Sequence, residues 1–410
     1  MSTPARGCMA KNFAQKALKT WTSRAYTFLI HIGEGRAVKK FMCILLAMAV
    51  LASGAGSCAS EGFSVDAKGA VLIDAASGRV LFGQNENARY PMASTTKIMT
   101  ALLALENCDL DEKVTASENA SGVPGTSIYL GVGETLTMEE MLYGLLLRSG
   151  NDAATAIAEH VAGNVEDFAA MMNLRAVELD ADAHFANPHG LDASGHEASA
   201  LALARIFRQA MKNEDFRRIT GTVETTIPWV GNEFSRVLTN KNRLLTTYEG
   251  ATGGKTGYTS DAGRCLVFSA ERDGMELIGV VLSCPDWFNE AARMLDYGFA
   301  NYRLETPLAA GQAACETAVW DGMEGTVEAV AAEDLSAAVG NGETWRVEYS
   351  FPGGVHAPVE AGEAIGTATL YIGGEAVCAT ELLAARSVER RDLFSALKRL
   401  LRRWALLFQP

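Results

Sequence analysis

The alternation of apolar and polar positions divides the chain into contrasting stretches. From Gly69 to Phe82, the runs Val71-Leu72-Ile73 and Val80-Leu81-Phe82 flank Ser77-Gly78. Two short β-rich runs around a glycine turn predict a hairpin. After Pro91 the texture changes. Ser94 to Glu106 carries Ile98, Met99, Leu102, Leu103 and Leu105 with almost no charge, the pattern of a central helix buried on most sides. Helical periodicity continues through 139–147, 153–161, 165–179 and 201–211. Extended runs return at 263–269 and 277–283, joined around Asp273-Gly274, and a helical stretch follows from Asn289 to Phe299. Strands, then helices, then strands predict an α+β domain: an antiparallel sheet with a helical subdomain inserted between its parts.

From about Thr306 to Leu383 the chain is rich in Gly, Val, Ala and Thr, with short runs such as 345–349 and 367–372. Frequent turn residues between such runs predict a small all-β sandwich. At the far end, Leu393, Leu397, Leu400, Trp404 and Leu407 form one helical stripe. Arg391, Lys398, Arg399, Arg402 and Arg403 fall largely on the other side. A basic, aromatic-bearing amphipathic helix suits the plane of an anionic membrane; docking on its own domain is the competing use.

At the near end, Arg36, Lys39 and Lys40 precede the apolar run 41–52, and small residues follow to Ser60. That order is the pattern of a secretory signal, and the run is too short to span a bilayer, which takes about 20 residues. The stretch before Arg36 is long for a signal, so translation starting at Met9 or Met42 is an alternative. Cleavage is expected near Ala59, with lipidation at Cys58 as the weaker option. The expected organisation is a leader over 1–59, a catalytic domain over 62–304, a β-sandwich over 305–385 and an amphipathic membrane-anchor helix over 386–410.

The formal net charge is −13 despite the basic leader, which argues against a nucleic-acid surface. Cys108, Cys265, Cys284, Cys315 and Cys378 are scattered, with no Cys-x-x-Cys pair to suggest zinc or thiol redox chemistry. Export permits a disulfide, but spacing does not say which thiols would pair.

Three short motifs carry candidate chemistry. Ser94-Thr95-Thr96-Lys97 puts a hydroxyl and an amine on one helix face. A lysine held neutral by burial and by a neighbouring cation can activate a serine. Alone the motif is weak: about one or two copies are expected by chance in a chain this long, and Ser395-Ala396-Leu397-Lys398 is a second. Ser149-Gly150-Asn151 lies between two helical stretches, in a loop expected to expose a proton-relaying hydroxyl and a substrate-aligning amide; its bland reading is a helix stop and cap, and Ser117-Glu118-Asn119 repeats the pattern. Lys255-Thr256-Gly257 enters a late strand, where a cation and a hydroxyl can grip a carboxylate and glycine admits close approach; an ordinary strand entry is the alternative.

Together the three are far more specific. Ser149 lies 55 residues after Ser94, and Lys255 a further 106, each in the local structure its task requires. This is the motif set of penicillin-binding proteins and class A β-lactamases. With Tyr90-Pro91-Met92-Ala93-Ser94, Asn187-Pro188-His189-Gly190-Leu191-Asp192 and Lys255-Thr256-Gly257-Tyr258-Thr259, the chain resembles the low-molecular-mass D-alanyl-D-alanine carboxypeptidases, peptidase family S11, from about Phe63 to Phe299. The resemblance implies a serine β-lactamase/DD-peptidase-like domain acting on the terminal D-Ala-D-Ala bond of peptidoglycan stem peptides. It implies Ser94 as nucleophile, Lys97 as base and Ser149 as proton relay. Asn151, Lys255, Thr256, Gly257 and Tyr258 would bind substrate, with the oxyanion between the N–H groups of Ser94 and Tyr258. It calls for no metal or cofactor, and makes β-lactams covalent inhibitors. One departure stands out: where many relatives have an arginine before the closing helix, this chain has Trp287, so Arg264 or another residue substitutes, or carboxylate recognition is weaker.

Three other classes are open. A β-lactamase would bring a Glu-x-x-Leu-Asn loop for deacylation, which this sequence lacks. A penicillin-binding sensor or scaffold of poor activity is disfavoured by the intact three-part site. A zinc peptidase, suggested by His184 and His189, lacks a helical metal motif; His189 reads as a loop residue and His160 as a packed or surface histidine.

Overall fold

The computed structural model describes residues 63–392. The leader and residues 393–410, which hold most of the expected anchor helix, lie outside the described residues.

Strand β1 (Gly69–Asp74) is apolar at consecutive positions because both of its faces are covered: every residue in it is buried. It pairs antiparallel with β2 (Val80–Gln84), completing the hairpin expected around Ser77-Gly78. A second hairpin, β3 (Glu224–Ile227) and β4 (Arg236–Thr239), stands apart from the main sheet. Then come β5 (Ala251–Thr259), β6 (Gly263–Arg272) and β7 (Met275–Leu282). The main sheet has the order β5-β6-β7-β1-β2, so β5, which carries Lys255-Thr256-Gly257, is an edge strand. Lys255 lies opposite Val267, and Gly257 opposite Cys265.

The helices fall between the two parts of the sheet, as the pattern predicts: α1 (Lys97–Asn107), α2 (Met138–Leu146), α3 (Asn151–Ala162), α4 (Val165–Glu178), α5 (Ala200–Ala210) and α6 (Glu214–Gly221). Side chains alternate across a strand. Val71, Ile73, Ile278, Val280 and Leu282 accordingly join the helical lobe's core with Ile98, Leu102, Leu145, Ile157 and Phe207. The opposite face receives α7 (Trp287–Asn301). Gly298 lets this helix lie close: a Cβ there would sit 2.4 Å from Leu277 and 2.8 Å from Leu72.

The second half is a sandwich of unequal sheets. β8 (Tyr302–Leu308) pairs with β11 (Leu335–Gly340). The larger sheet contains β9 (Ala313–Trp320), β10 (Thr326–Ala331), β12 (Trp345–Ser350), β13 (Val355–His356), β14 (Ala364–Ile372) and β15 (Glu375–Ala384). Leu308, Leu335 and Val339 of the small sheet share a core with Leu370, Ile372 and Leu382 of the large one. The stretch just beyond β15, expected to belong to the terminal helix, instead continues the β domain: Val388 bridges Val359, and Arg390 bridges Gly322. Val388 is the single buried side chain of Ser387-Val388-Glu389-Arg390, as suits an exposed edge segment.

Polar groups join the two halves. Asp74 accepts the Ala338 N–H at 3.0 Å, Arg79 grips Glu343, and Tyr302 donates to the Leu81 carbonyl at 3.0 Å. The cysteines among the described residues are all unpaired thiols. No described helix is long and apolar enough to cross a membrane.

Candidate active site

Ser94 sits in a short 3-10 turn, Ala93–Thr96, that runs directly into α1. The helix was expected to begin at Ser94; the tighter turn replaces its first turn because Ala93 adopts a left-handed backbone with φ 48°, sparsely allowed for a non-glycine residue. The turn is held from below. The Thr96 hydroxyl donates to the Ala93 carbonyl at 2.8 Å and lies 2.7 Å from His196 Nε2. His196 Nδ1 accepts the Ala186 N–H at 3.0 Å, so Nε2 carries the proton and donates to Thr96. Burial, then His184, depresses His196 to about 4, so it stays neutral.

The loop Asn187-Pro188-His189-Gly190 packs against the same turn. Gly190 has φ +88°, and a Cβ there would lie 2.0 Å from the Ala93 carbonyl oxygen; only glycine satisfies both conditions. Thr100 donates to the Pro188 carbonyl at 2.6 Å, and Asn187 Oδ1 accepts the Gly190 N–H at 2.7 Å. His189, named in the zinc alternative, accepts the Leu191 N–H on Nδ1 and is pushed down to about 3 by burial and by Lys97. His184 is elsewhere, with its Nδ1 on the Gly195 carbonyl.

Lys97 is fully buried. Its Nζ lies 3.0 Å from Ser94 Oγ, 2.7 Å from Asn151 Oδ1 and 2.5 Å from the His189 carbonyl. Burial, then the positive charges of Lys255 and Lys241, hold its pKa well below the usual lysine value against the opposing pull of Asp152. A neutral amine has two N–H donors and one lone pair. In that form, donors committed to Asn151 and His189 would leave the lone pair to face the Ser94 hydroxyl.

Ser149 lies between α2 and α3 as expected and Asn151 opens α3, but they are not exposed: each is about 3% accessible. They face inward because Ser149 adopts a left-handed φ of 66°, and because the Asn151 N–H donates to the Thr126 carbonyl while its Nδ2 donates to Pro124. By contrast, Ser117 of the second Ser-x-Asn copy caps a short helix, accepting from the Ala120 N–H.

Lys255 is also fully buried, and its Nζ donates to the Thr256 carbonyl at 2.8 Å. Burial, then the nearby Lys241, lowers it to about 7. Gly257 brings the edge strand against the nucleophile turn: a Cβ there would stand 2.9 Å from the Ser94 nitrogen. Thr256 is buried, whereas the Tyr258 side chain is exposed. The structure therefore gathers Ser94, Lys97 and Asn151 directly, and sets Gly257 against Ser94.

The arginine question also has a geometry. Arg264, opposite Tyr258 in the sheet, donates to the Pro285 carbonyl at 2.6 Å and lies 6.0 Å from the centre of the Trp287 ring. The Arg264 guanidinium thus lies beside the Trp287 ring.

Other residues of the site escaped the sequence reading. Asp152 accepts from Ser127 Oγ and from the Ile128 and Leu130 N–H groups, anchoring the wall 126–130; its place after Ser-Gly-Asn was the available signal. Glu134 and Arg236 form a buried pair at 2.6 Å. Burial would raise the Glu134 carboxyl, but Arg236 and the Gly131 N–H outweigh it and hold it low. These partners are far apart in sequence, and nothing local linked them.

This geometry can be compared with known proteins. The family model described as D-alanyl-D-alanine carboxypeptidase, Peptidase S11, matches residues 56–286. The chain belongs to the peptidase S11 family. A second model, the C-terminal domain of penicillin-binding protein 5, matches residues 302–390. The D-alanyl-D-alanine carboxypeptidase DacF of Bacillus subtilis is 34% identical over 375 residues, covering 88% of this chain and 96% of the relative. DacC of Escherichia coli is 30% identical over 82% of this chain and 87% of its own length. Among solved structures, penicillin-binding protein 5 from Haemophilus influenzae superposes with a TM-score of 0.69 at 29% identity, covering 80% of this chain and 99% of that one. As in this S11 relative, the α+β domain expected from the sequence is followed by a β domain.

Proposed function

We propose that this protein is a serine-type D-Ala-D-Ala carboxypeptidase that trims peptidoglycan stem peptides through an acyl-enzyme on Ser94. The observation that carries the reading is the fully buried Lys97 amine 3.0 Å from the Ser94 oxygen, with its proton affinity lowered by burial. The family relationship supports the activity. The residue roles rest on the geometry.

Ser94 Oγ attacks the carbonyl between the two D-alanines, and its proton passes to Lys97. The developing oxyanion lies between the N–H groups of Ser94 and Tyr258. Lys255 and Thr256 receive the terminal carboxylate, and a bound carboxylate keeps Lys255 protonated. Asn151 aligns the peptide and holds Lys97. As the C–N bond breaks, the Ser149 hydroxyl passes a proton to the departing amine and takes one back from protonated Lys97, so D-alanine leaves neutral at nitrogen and Lys97 is again free to act as base. Water then attacks the ester, the acyl group departs as a shortened peptide, and Ser94 regains its proton. A β-lactam enters by the same first step and forms a longer-lived ester.

The substrate lies outside the cytoplasm, which agrees with the signal-like leader. We assign the terminal basic segment to binding the outer face of the cytoplasmic membrane. Flotation of the protein with anionic vesicles, lost on truncation after Arg390, tests that assignment; unchanged flotation removes it.

The catalytic reading is tested by mass spectrometry after labelled penicillin and by D-alanine release from diacetyl-L-lysyl-D-alanyl-D-alanine. Wild type should gain one adduct and release D-alanine, and Ser94→Ala should do neither. An adduct on both proteins, or on neither, overturns it. An adduct lost within milliseconds would instead mark a β-lactamase.

A further inference from the structure

Six exposed apolar side chains, Tyr129, Val132, Trp229, Val230, Phe234 and Val237, cluster on the wall 127–134 and around the β3–β4 hairpin. Single exposed apolar residues are ordinary, but a contiguous patch marks a binding surface. Between the two segments lies a hollow of about 190 Å³ lined in part by Tyr129, Trp229, Val237 and Arg148. Arg148 immediately precedes Ser149, and Ile128 of the same lining donates to Asp152 beside Asn151.

Tyr129 shows that the patch is built. Its φ is 62°, a strained conformation for a bulky residue, and the ring is 73% exposed, so packing does not repay the strain. Hydrogen bonds impose it from every side. The Tyr129 N–H donates to Ser127 Oγ at 2.7 Å, and its carbonyl accepts from Arg236 at 2.8 Å. The flanking N–H groups of Ile128 and Leu130 both donate to Asp152, whose backbone adjoins Asn151. The machinery that fixes Asn151 therefore also presents an aromatic ring to solvent.

Arg148 supplies the second half of the argument. Among the described residues no hydrogen bond or ion pair to its guanidinium is found. The neighbouring carboxylate Glu134 is taken by Arg236. The charge Arg148 does influence is the like-signed Lys241, whose pKa it helps to depress after burial. A half-buried arginine beside apolar walls, without a carboxylate, is complementary to a ligand that brings one.

We propose that this hollow is a specificity subsite for the acyl side of the donor peptide. Tyr129, Trp229 and Val237 cover the peptide's aliphatic atoms, and Arg148 binds a free carboxylate upstream of the scissile bond. The inference rests on the carboxypeptidase reading above and names the part of the substrate that reading leaves open.

The full chain is assayed with three peptides: diacetyl-L-lysyl-D-alanyl-D-alanine, the same peptide extended by an N-acyl γ-D-glutamyl residue with a free α-carboxylate, and the α-amide of that extension. Wild type should prefer the acid over the amide by about tenfold in kcat/KM, mostly through KM, as expected for a partly exposed charge-assisted contact. Arg148→Gln should reduce that ratio below about twofold and Arg148→Lys should restore part of it. Tyr129→Ala should lower kcat/KM for both extended peptides alike. Melting curves report folding; if Arg148→Gln does not fold, Trp229→Ala tests the apolar half separately. Equal use of acid and amide by wild type, or a preference that survives Arg148→Gln, overturns the subsite. So does a concentration-dependent dimer abolished by Phe234→Ser, which would make the patch a self-association face. If no peptide releases D-alanine, the carboxypeptidase reading itself fails and the subsite falls with it.

Discussion

The catalytic domain buries Lys97, Lys255, Arg236, Glu134, Asp74 and Asp152, whereas the buried polar side chains described in the β domain are the hydroxyls of Ser336 and Thr380. Both domains have dense apolar cores, so the difference is not one of packing. Burying an ion costs stability unless it is paired and hydrogen-bonded. In the catalytic domain Glu134 and Arg236 are paired, whereas the fully buried Lys97 and Lys255 have their proton affinities lowered, first by burial and then by neighbouring lysines. The β domain carries no such cost. Where a chain tolerates unpaired buried cations, chemistry rather than folding explains them.

The sharpest way to break this contrast is Ser94→Ala. It should reduce D-alanine release by about 10³-fold or more, with melting nearly unchanged; retained turnover would detach the buried lysines from the reaction. Next is Glu134→Gln, which leaves the buried Arg236 without its counter-charge and should cost about 3–5 kcal/mol, measured by urea unfolding. A loss below about 1 kcal/mol would mean the pair is not buried in solution.

Lys255→Met separates the two demands. It should lower kcat/KM by about 10²-fold, the scale of a lost charged contact to substrate, yet raise the melting temperature at pH 6. The sign follows from linkage: with a folded pKa of about 7 and an ordinary value near 10.5 unfolded, the unfolded chain binds more protons between those limits. The penalty is complete below about pH 7 and is relieved as pH rises toward 10.5. Calorimetry at pH 6 and pH 9 should show the variant's advantage shrinking with pH; a lower melting point at both would refute it. The smallest effect belongs to the β domain. Ser336→Ala removes a hydroxyl pair with Thr306 and should cost about 1 kcal/mol, with turnover unaffected in the D-alanine assay.

The same contrast explains what was legible in sequence. Elements with strong periodicity appeared near their observed places: the buried helix after Ser94, the helices at 138–146 and 165–178, and the hairpin joined at Asp273-Gly274. The motifs at Ser94, Ser149 and Lys255 were readable because short spacing fixes local geometry. The second layer was not. The His189 carbonyl that takes one Lys97 proton is a backbone group, indistinguishable in sequence from any other. Arg236 meets Glu134 and Tyr129 only through tertiary packing. The inward-facing Ser149 depends on a positive φ that no residue type announced. The segment 386–390 reads as part of the anchor because its charges resemble those of the basic sequence that follows, while Val388 is a β-bridge residue.

The gathering of Lys97, Lys241, Lys255 and Arg148 has a further consequence. The chain as a whole is strongly acidic, at −13, so distant solvent sees repulsion for anions, whereas this cleft gathers basic side chains. Capture of an anionic peptide or antibiotic then depends on a field that reaches roughly one Debye length, about 10 Å at 0.1 M salt. Second-order acylation should slow as ionic strength rises, while the lifetime of the ester already formed should not change.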